Sequence, residues 1–415
     1  MIPGTNYAIV VGINDYQTPQ GNLKGAVNDA VRMWHWLTDP KGGNVPRGRV
    51  LLFLSSAPLN PPPQFPRSFY PATKSVFLEV IEREFKARKE QGDRLYFYFS
   101  GHGIADRHTL TLEQTLLMQD FTQNAGASAN SFRVKDMLDF FKATDFSDQI
   151  FFIDACNNLP PDWNTQELVV GQWTLPLHVQ AGHVVQQFAV AATSPGGVTI
   201  ELAGKGVFTE VLLEGLQGKA KAKAYDPLRK DYVVKVGRLF TYIVEEVPKR
   251  VALAQEVASQ LPVRGGTQQI VAPPALPYIP QPETRGRVPG RTPDPEFMHI
   301  SADLVSQEQL TIHVEPLSVV PGVDIHVWRE GQVVGEPKNI LDVQDLPVKW
   351  SLPPREYLVA GTAPQHELLN ELEVDLYEPC QKVLQFFPIP SLSQALSPTD
   401  SEVPPNPHKE GDQAE

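Results

Sequence analysis

The sequence predicts an α/β domain with a mostly parallel central sheet flanked by helices, followed by a small all-β, sandwich-like domain. Three observations carry that prediction. Short apolar runs at residues 7–12, 50–54, 95–99 and 151–153 read as strands buried on both faces. Segments of helical period lie between these runs, and strands alternating with helices build right-handed βαβ units and a parallel sheet. Beyond residue 297 the pattern becomes strict alternation, as in Leu310-Thr311-Ile312-His313-Val314-Glu315, the period of a strand with one face on a core.

In order, Tyr7-Ala8-Ile9-Val10-Val11-Gly12 is the first strand, closed by a Gly-Ile-Asn-Asp turn. Leu23, Val27, Ala30, Val31 and Trp34 then recur at the spacing of a helix lying on a sheet. Residues 50–54 form a second strand, the Pro-rich residues 58–71 a crossing loop, and residues 73–91 a helix. Gly92-Asp93 precedes the strand that runs into Ser100-Gly101-His102-Gly103. A helix over 132–144 leads to Phe151-Phe152-Ile153-Asp154-Ala155-Cys156. After a polar stretch come a strand over 188–193, a turn at 194–197, an amphipathic helix opening at Gly204 and a long helix over 236–261. Between those helices, three lysines alternate with alanines in residues 219–230, which predicts an exposed, mobile loop. The organisation expected is a first domain over 1–271, a Pro-rich linker over 272–296, a β-domain over 297–390 and a disordered acidic tail over 391–415.

Bulk properties exclude several classes. A formal net charge of −12 argues against a general nucleic-acid binder, which carries a basic surplus. The two cysteines, Cys156 and Cys380, are too few for a disulfide framework and fit a reducing, cytoplasmic setting. The start of the chain lacks the basic and apolar regions of a signal peptide, and the longest uncharged span, 168–200, is broken by prolines and glycines, so no membrane segment is expected. Val11-Gly12-Ile13-Asn14-Asp15 has neither the spaced glycines nor the Lys-Ser/Thr of a phosphate loop.

The chemistry-bearing residues are His102 and Cys156, each at the end of a buried strand. In an open α/β sheet ligands bind at the carboxyl ends of the strands, so this pair can set a base beside a nucleophile. A buried cysteine is also a common small core residue, and a histidine at a strand end is often structural. His108, His178 and His183 look like loop residues, and Trp34, Trp36 and Trp163 like packing groups. Asp120, Asp139, Asp145 and Asp148 do not have the spacing of a metal loop, so no metal is assigned from the residues.

Residues from about Tyr7 to Val271 resemble the caspase-like cysteine peptidases, nearest the bacterial metacaspase and orthocaspase branch. The segments that carry the likeness are the first strand, Asn28-Asp29-Ala30, Ser100-Gly101-His102-Gly103, Asp154-Ala155-Cys156, Ala191-Ala192-Thr193-Ser194-Pro195 and Gly206-Val207-Phe208-Thr209. The resemblance implies the caspase-haemoglobinase fold and a cysteine endopeptidase with His102 and Cys156 as its dyad. It implies an oxyanion hole from the backbone N–H groups of Gly103 and Cys156, and a pocket of Asp29, Ser100 and Asp154 that selects Arg or Lys before the cut. Self-cleavage is expected at Lys219, Lys221, Lys223, Arg229 or Lys230, the position of the linker that caspases process. No cofactor is assigned, and calcium enters only as a habit of the family. Partners are a protein or peptide substrate and a protein bound by the β-domain. The rival readings are an inactive scaffold and a binding protein acting through its β-domain. Metacaspases usually continue past the nucleophile with His-Ser-Gly, where this chain has Asn157-Asn158-Leu159-Pro160.

Overall fold

A computed structural model of the chain describes residues 6–17, 22–87, 91–106, 113–122, 130–157, 173, 185–193, 200–202, 204–260, 283–285 and 296–388. They fall into two compact units, divided between Val305 and Ser306.

In the first unit the chain forms β1 (Tyr7–Gly12), α1 (Ala26–Thr38), β2 (Val50–Leu54), β3 (Tyr70–Pro71), α2 (Lys74–Ile81), β4 (Gly92–Ser100), β5 (Gly103–Asp106), β6 (Glu113–Leu117), β7 (Ser131–Arg133), α3 (Val134–Lys142) and β8 (Phe146–Asp154). It continues through β9 (Gln186–Ala191), β10 (Glu201–Leu202), β11 (Lys205–Gly206), α4 (Val207–Leu216), β12 (Lys223–Asp226), β13 (Asp231–Lys235), α5 (Val236–Gln260), β14 (Glu283–Arg285) and β15 (Glu296–Ile300). The central sheet has the order β14-β9-β8-β4-β1-β2-β3. Its pairings are parallel except that of β14 with β9.

The continuous apolar runs are explained by burial on both faces. Ile9, Val11, Phe97, Phe99, Phe151 and Ile153 point to one side, against Phe77 of α2 and Met137 and Phe141 of α3. Ala8, Val10, Tyr96, Tyr98, Ile150 and Phe152 point to the other, against Val27, Ala30 and Trp34 of α1, Phe208 and Leu212 of α4, and Leu239 and Ile243 of α5. Alternation still operates inside each strand; because each face meets a helix layer, it sorts apolar from apolar. Helix α2 begins at Lys74, where the Asp120 carboxylate accepts the Lys74 N–H (3.0 Å), and its last regular turn widens into a π-type segment over Glu82–Ala87.

Two sequence expectations are corrected in this unit. Residues 219–230 are not one exposed loop. Ala220–Ala222 form a 3₁₀ turn, and Lys223–Asp226 pairs antiparallel with Asp231–Lys235, Lys223 facing Val234. Ala222 and Lys223 are buried, and the exposed part shrinks to Lys219 and residues 227–230, with Leu228 93% exposed. The first residues assigned to the β-domain also belong elsewhere. Glu296–Ile300 pairs with β13, and Glu283–Arg285, within the expected linker, adds an antiparallel edge to the central sheet. Phe297 is buried against Trp36, Tyr96 and Phe152, and the Glu296 carbonyl accepts a hydrogen bond from Arg94 (2.9 Å), itself paired with Asp148. A lone aromatic after a Pro-rich stretch has no local period, so its long-range burial was not legible.

The second unit is a sandwich of two sheets. One has Val348–Leu352, Glu308–Glu315, Cys380–Pro388 and His366–Leu368 in that order, and the other Gln332–Val333, Val323–Arg329, Arg355–Thr362 and Leu372–Leu376, with Lys338–Ile340 also beside Val323–Arg329. Pairing is antiparallel except between Glu308–Glu315 and Cys380–Pro388. Leu310, Ile312 and Val314 from one sheet and Val323, Ile325, Val327, Val359 and Val374 from the other share a single core, as the alternation predicts. Among the described residues, no helix is long and apolar enough to cross a membrane.

Candidate active site

Strands β4 and β8 are neighbours, with Ser100 opposite Asp154 in their parallel register. His102 and Cys156 therefore both lie two residues past a registered pair, at the carboxyl end of the sheet. The Gly101 N–H bonds to the Asp154 carbonyl (3.2 Å) and carries the strand contact one residue further. Gly103 opens β5, where its Cα presses on the other loop: a Cβ there would lie 2.4 Å from the Cys156 carbonyl oxygen and 3.0 Å from Ala155 Cβ. The glycine is thus needed for the approach of the two loops. Gln114 of β6 fixes the loop of Cys156, its Nε2 donating to the carbonyls of Ala155 (3.0 Å) and Cys156 (3.1 Å). Cys156 is half-buried and in no disulfide. The next residue, Asn157, is fully buried, and neither atom of its amide has a hydrogen-bond partner among the described residues.

The three expected pocket residues come together on the α1 face of β4 and β8. Asp29, in the first turn of α1, accepts the Gly206 N–H on Oδ2 (2.7 Å) and pairs with Arg32 through Oδ1 (3.1 Å). Asp154 Oδ2 accepts the Thr209 hydroxyl (2.6 Å). Because Thr209 has spent its only proton on Asp154, the 2.6 Å contact with the Tyr98 hydroxyl is one in which Tyr98 donates. Ser100 hydrogen-bonds the same tyrosine. Both carboxylates converge on Gly206, where an added Cβ would lie 2.4 Å from Asp154 Oδ2 and 2.9 Å from Asp29 Oδ2. Glu201 stands close by, its carboxylate accepting the N–H groups of Lys24 (3.2 Å) and Gly25 (3.1 Å) at the start of α1.

Such crowding of buried acids shows in their ionisation. Burial pushes Asp154 up to about 6, the Thr209 hydrogen bond opposing and the charge of Glu201 adding to the shift. Asp29 is pushed up to about 8, first by burial and then by the negative charge of Asp154; the Gly206 N–H and Arg32 act the other way. Asp154 therefore ionises first, and its charge holds the proton on Asp29. The Tyr98 phenol is raised as well, by burial and then by these two acids.

The expected self-cleavage residues lie away from this cluster: Lys219 pairs with Glu214, Arg229 with Glu296, and Lys230 sits in the hairpin turn at positive φ. His108, Trp163, His178, His183, the turn at 194–197 and the tail from 391 lie outside the described residues. Among the described residues no three His, Cys, Asp or Glu side chains cluster as metal ligands. Of the four acids considered for calcium, three are engaged otherwise: Asp120 with the start of α2, Asp139 with Lys142 and Asp148 with Arg94. Sequence reasoning did not identify Tyr16, Gln114, Thr209 or Arg32. Thr209 stood inside a segment that carried the family likeness, whereas Tyr16 and Gln114 lie outside any local pattern.

A mostly parallel sheet with a histidine and a cysteine just past the carboxyl ends of two adjacent strands fits the caspase class. The chain belongs to the caspase-domain family, whose model matches residues 5–264. It is 32% identical over 400 residues to a probable protease of a Desulfuromonadales bacterium, an alignment covering 95% of this chain and 46% of that protein. The chain thus spans about half the length of that curated relative. Solved structures similar to it include a protein of Geobacter sulfurreducens (15% identity, TM-score 0.39, covering 70% of this chain and 95% of that one). Caspase-1 of Spodoptera frugiperda is another (13% identity, TM-score 0.39, covering 68% and 87%).

Proposed function

We propose that the first unit is a cytoplasmic, metacaspase-like cysteine endopeptidase that cuts after Arg or Lys through a His102–Cys156 dyad. The observation that carries this reading is the β4–β8 register, which brings both residues to one end of the sheet, with Gly103 packed on the Cys156 carbonyl. The family and the name of the curated relative support it.

In the reaction His102 takes the thiol proton and the Cys156 sulfur attacks the scissile carbonyl carbon. The oxyanion is stabilised by the N–H groups of Gly103 and Cys156. Collapse breaks the C–N bond, and His102 returns its proton to the leaving amine. Water, deprotonated by His102, then hydrolyses the thioester and restores the thiol. Asp29 and Asp154 provide the carboxylates for a guanidinium or ammonium, Arg being favoured by its planar fork. Self-processing falls in the exposed turn at residues 227–230, at Arg229 or Lys230.

A second reading is favoured by Asp29 and Asp154 being only 1% and 5% exposed: that they are fold staples holding β11 and α4 to α1 and β8. The buried Asn157 amide, without a partner among the described residues, likewise favours an inactive scaffold. The test of activity is hydrolysis of a peptide library by Cys156→Ala and His102→Ala variants. Each is expected to lose turnover while keeping the wild-type melting curve, since dyad members act as a unit. Wild-type turnover in either variant would refute the dyad.

A further inference from the structure

We infer that Tyr16 is a positioning residue for the candidate base, holding the backbone and ring of His102 in place beside the nucleophile loop; this rests on the dyad reading above. Tyr16 leaves β1 four residues past its last residue and returns to the sheet end, where its ring lies 4.6 Å from the His102 ring at 46°. Its hydroxyl accepts the His102 N–H at 2.7 Å and donates to the Leu117 carbonyl at 3.4 Å, and the Leu117 N–H in turn bonds to the His102 carbonyl at 3.0 Å. The one phenolic proton and a lone pair thus close a ring joining the end of β4 to the end of β6.

The surrounding residues are arranged to keep the phenol there. A Cβ at Gly101 would lie 2.5 Å from the Tyr16 hydroxyl, so the residue before His102 has to be a glycine for the bond to form. The Tyr16 N–H bonds to Asn22 Oδ1 (3.0 Å), Asn22 in turn to Asp15, and Asp15 N–H to the Ser55 hydroxyl (3.1 Å), which pins the loop after β1 on both sides. Tyr16 is 8% exposed. Burial raises its phenol well above the usual range, and the negative charge of Cys156 adds to the shift, so the hydroxyl stays protonated and acts as a fixed bridge near the sulfur. A phenol that stays protonated and is nearly free of solvent is suited to orientation, and displacement of a catalytic group by about 1 Å costs on the order of 10²-fold in rate.

Tyr16→Phe keeps the ring and removes the bridge. On the full chain, steady-state peptide hydrolysis is expected to show kcat lowered about 10- to 100-fold with KM within twofold of wild type. Alkylation of Cys156 by iodoacetamide, followed peptide by peptide in a mass spectrometer, should slow several-fold while Cys380 reacts as before. Gly101→Ala, which displaces the hydroxyl from the other side, should reproduce both effects, so the inference does not depend on one variant folding. Wild-type kcat and alkylation in Tyr16→Phe, in a preparation where Cys156→Ala is inactive, would overturn it. So would a loss of activity that only tracks the fraction of unfolded protein. Activity surviving in Cys156→Ala would instead remove the dyad reading, and the role of Tyr16 with it.

Discussion

If Asp29 and Asp154 bind a substrate cation, the preference for that cation must titrate with them. At pH 7 a group with a midpoint of about 6 is roughly nine-tenths ionised and one of about 8 roughly one-tenth, so the pair carries close to one negative charge. Between pH 5 and 7 the first charge appears, and between pH 7 and 9 the second, each a rise of roughly tenfold in the ionised fraction. The rate for any single peptide also carries whatever pH dependence the chemical step has, so the quantity to measure is the ratio of kcat/KM for two matched peptides, one with Arg and one with Leu before the scissile bond. That ratio should climb with pH, by up to about tenfold above pH 7, because only a charged pocket distinguishes the two. Asp29→Asn should flatten the upper limb. Asp154→Asn should remove the lower limb and move the remaining one below 8, since the charge that holds the proton on Asp29 is gone. Each substitution should also lower the ratio at pH 8 by roughly 30-fold or more, the equivalent of about 2 kcal/mol or more for a desolvated charge pair stripped of one partner. A ratio independent of pH in the wild type, or untouched by both substitutions, would refute the acidic pocket and leave the staple reading in place.

Three further outcomes are expected. Asp29 keeps its proton to about pH 8 when folded but loses it near 4 when unfolded, so stability is full below pH 4 as far as this group is concerned and is lost as pH rises towards 8; the total is on the order of 5 kcal/mol. Urea midpoints at pH 5 and pH 8 should therefore converge in Asp29→Asn relative to wild type, and an unchanged difference would contradict the assignment. A fragment of residues 1–305 should fold and retain activity, whereas residues 1–271 should be destabilised by about 3 kcal/mol or more through loss of Phe297 alone; equal melting temperatures for the two fragments would count against the boundary. Self-processing should be abolished by Arg229→Ala together with Lys230→Ala and be indifferent to Lys223→Ala, which lies in a ladder; intact-mass analysis of a time course reads this directly.

What was legible in the sequence was what local pattern encodes. The runs ending at Ser100 and Asp154 are apolar enough to be strands covered on both faces, and two such strands in a βαβ series place His102 and Cys156 at one end of the sheet. The sandwich core followed from alternation in the same way, since Leu310, Ile312 and Val314 are the inward half of their strand. Charge and composition were poor guides to exposure. Lys223 lies in a ladder with its stem buried, as lysine stems can be, and the same Lys-Ala alternation that suggests a solvated loop also has the period of a strand. The acid pair came from family likeness, because Asp29 on a helix and Asp154 on a strand meet only through the packing of α1 on β4 and β8. Tyr16 belongs to no periodic segment, and its partners are backbone groups 86 and 101 residues away.

That packing also bears on why the acids are there at all. As staples, Asp29 has to accept one backbone N–H and Asp154 the hydroxyl and the backbone N–H of Thr209, tasks that a neutral amide oxygen with its two lone pairs performs without charge repulsion. Two carboxyl groups, each nearly free of solvent, with the charge of Asp154 raising the cost of ionising Asp29, are a destabilising way to satisfy Gly206 N–H and Thr209 Oγ1. The arrangement becomes favourable only when a cation joins it, and the chain already places one there: Arg32 bonds the outer oxygen of Asp29 with its own side chain 30% exposed. A guanidinium is therefore chemically at home at this carboxylate, and a substrate arginine reaching the same oxygen from the sheet end would compete with Arg32 for it. Arg32→Gln separates the two roles, since it removes the competitor while leaving both acids and both staple bonds in place. A lower KM for Arg peptides in that variant supports a pocket held partly closed by its own counter-ion, and an unchanged KM for both peptides would place Arg32 and the substrate on different oxygens.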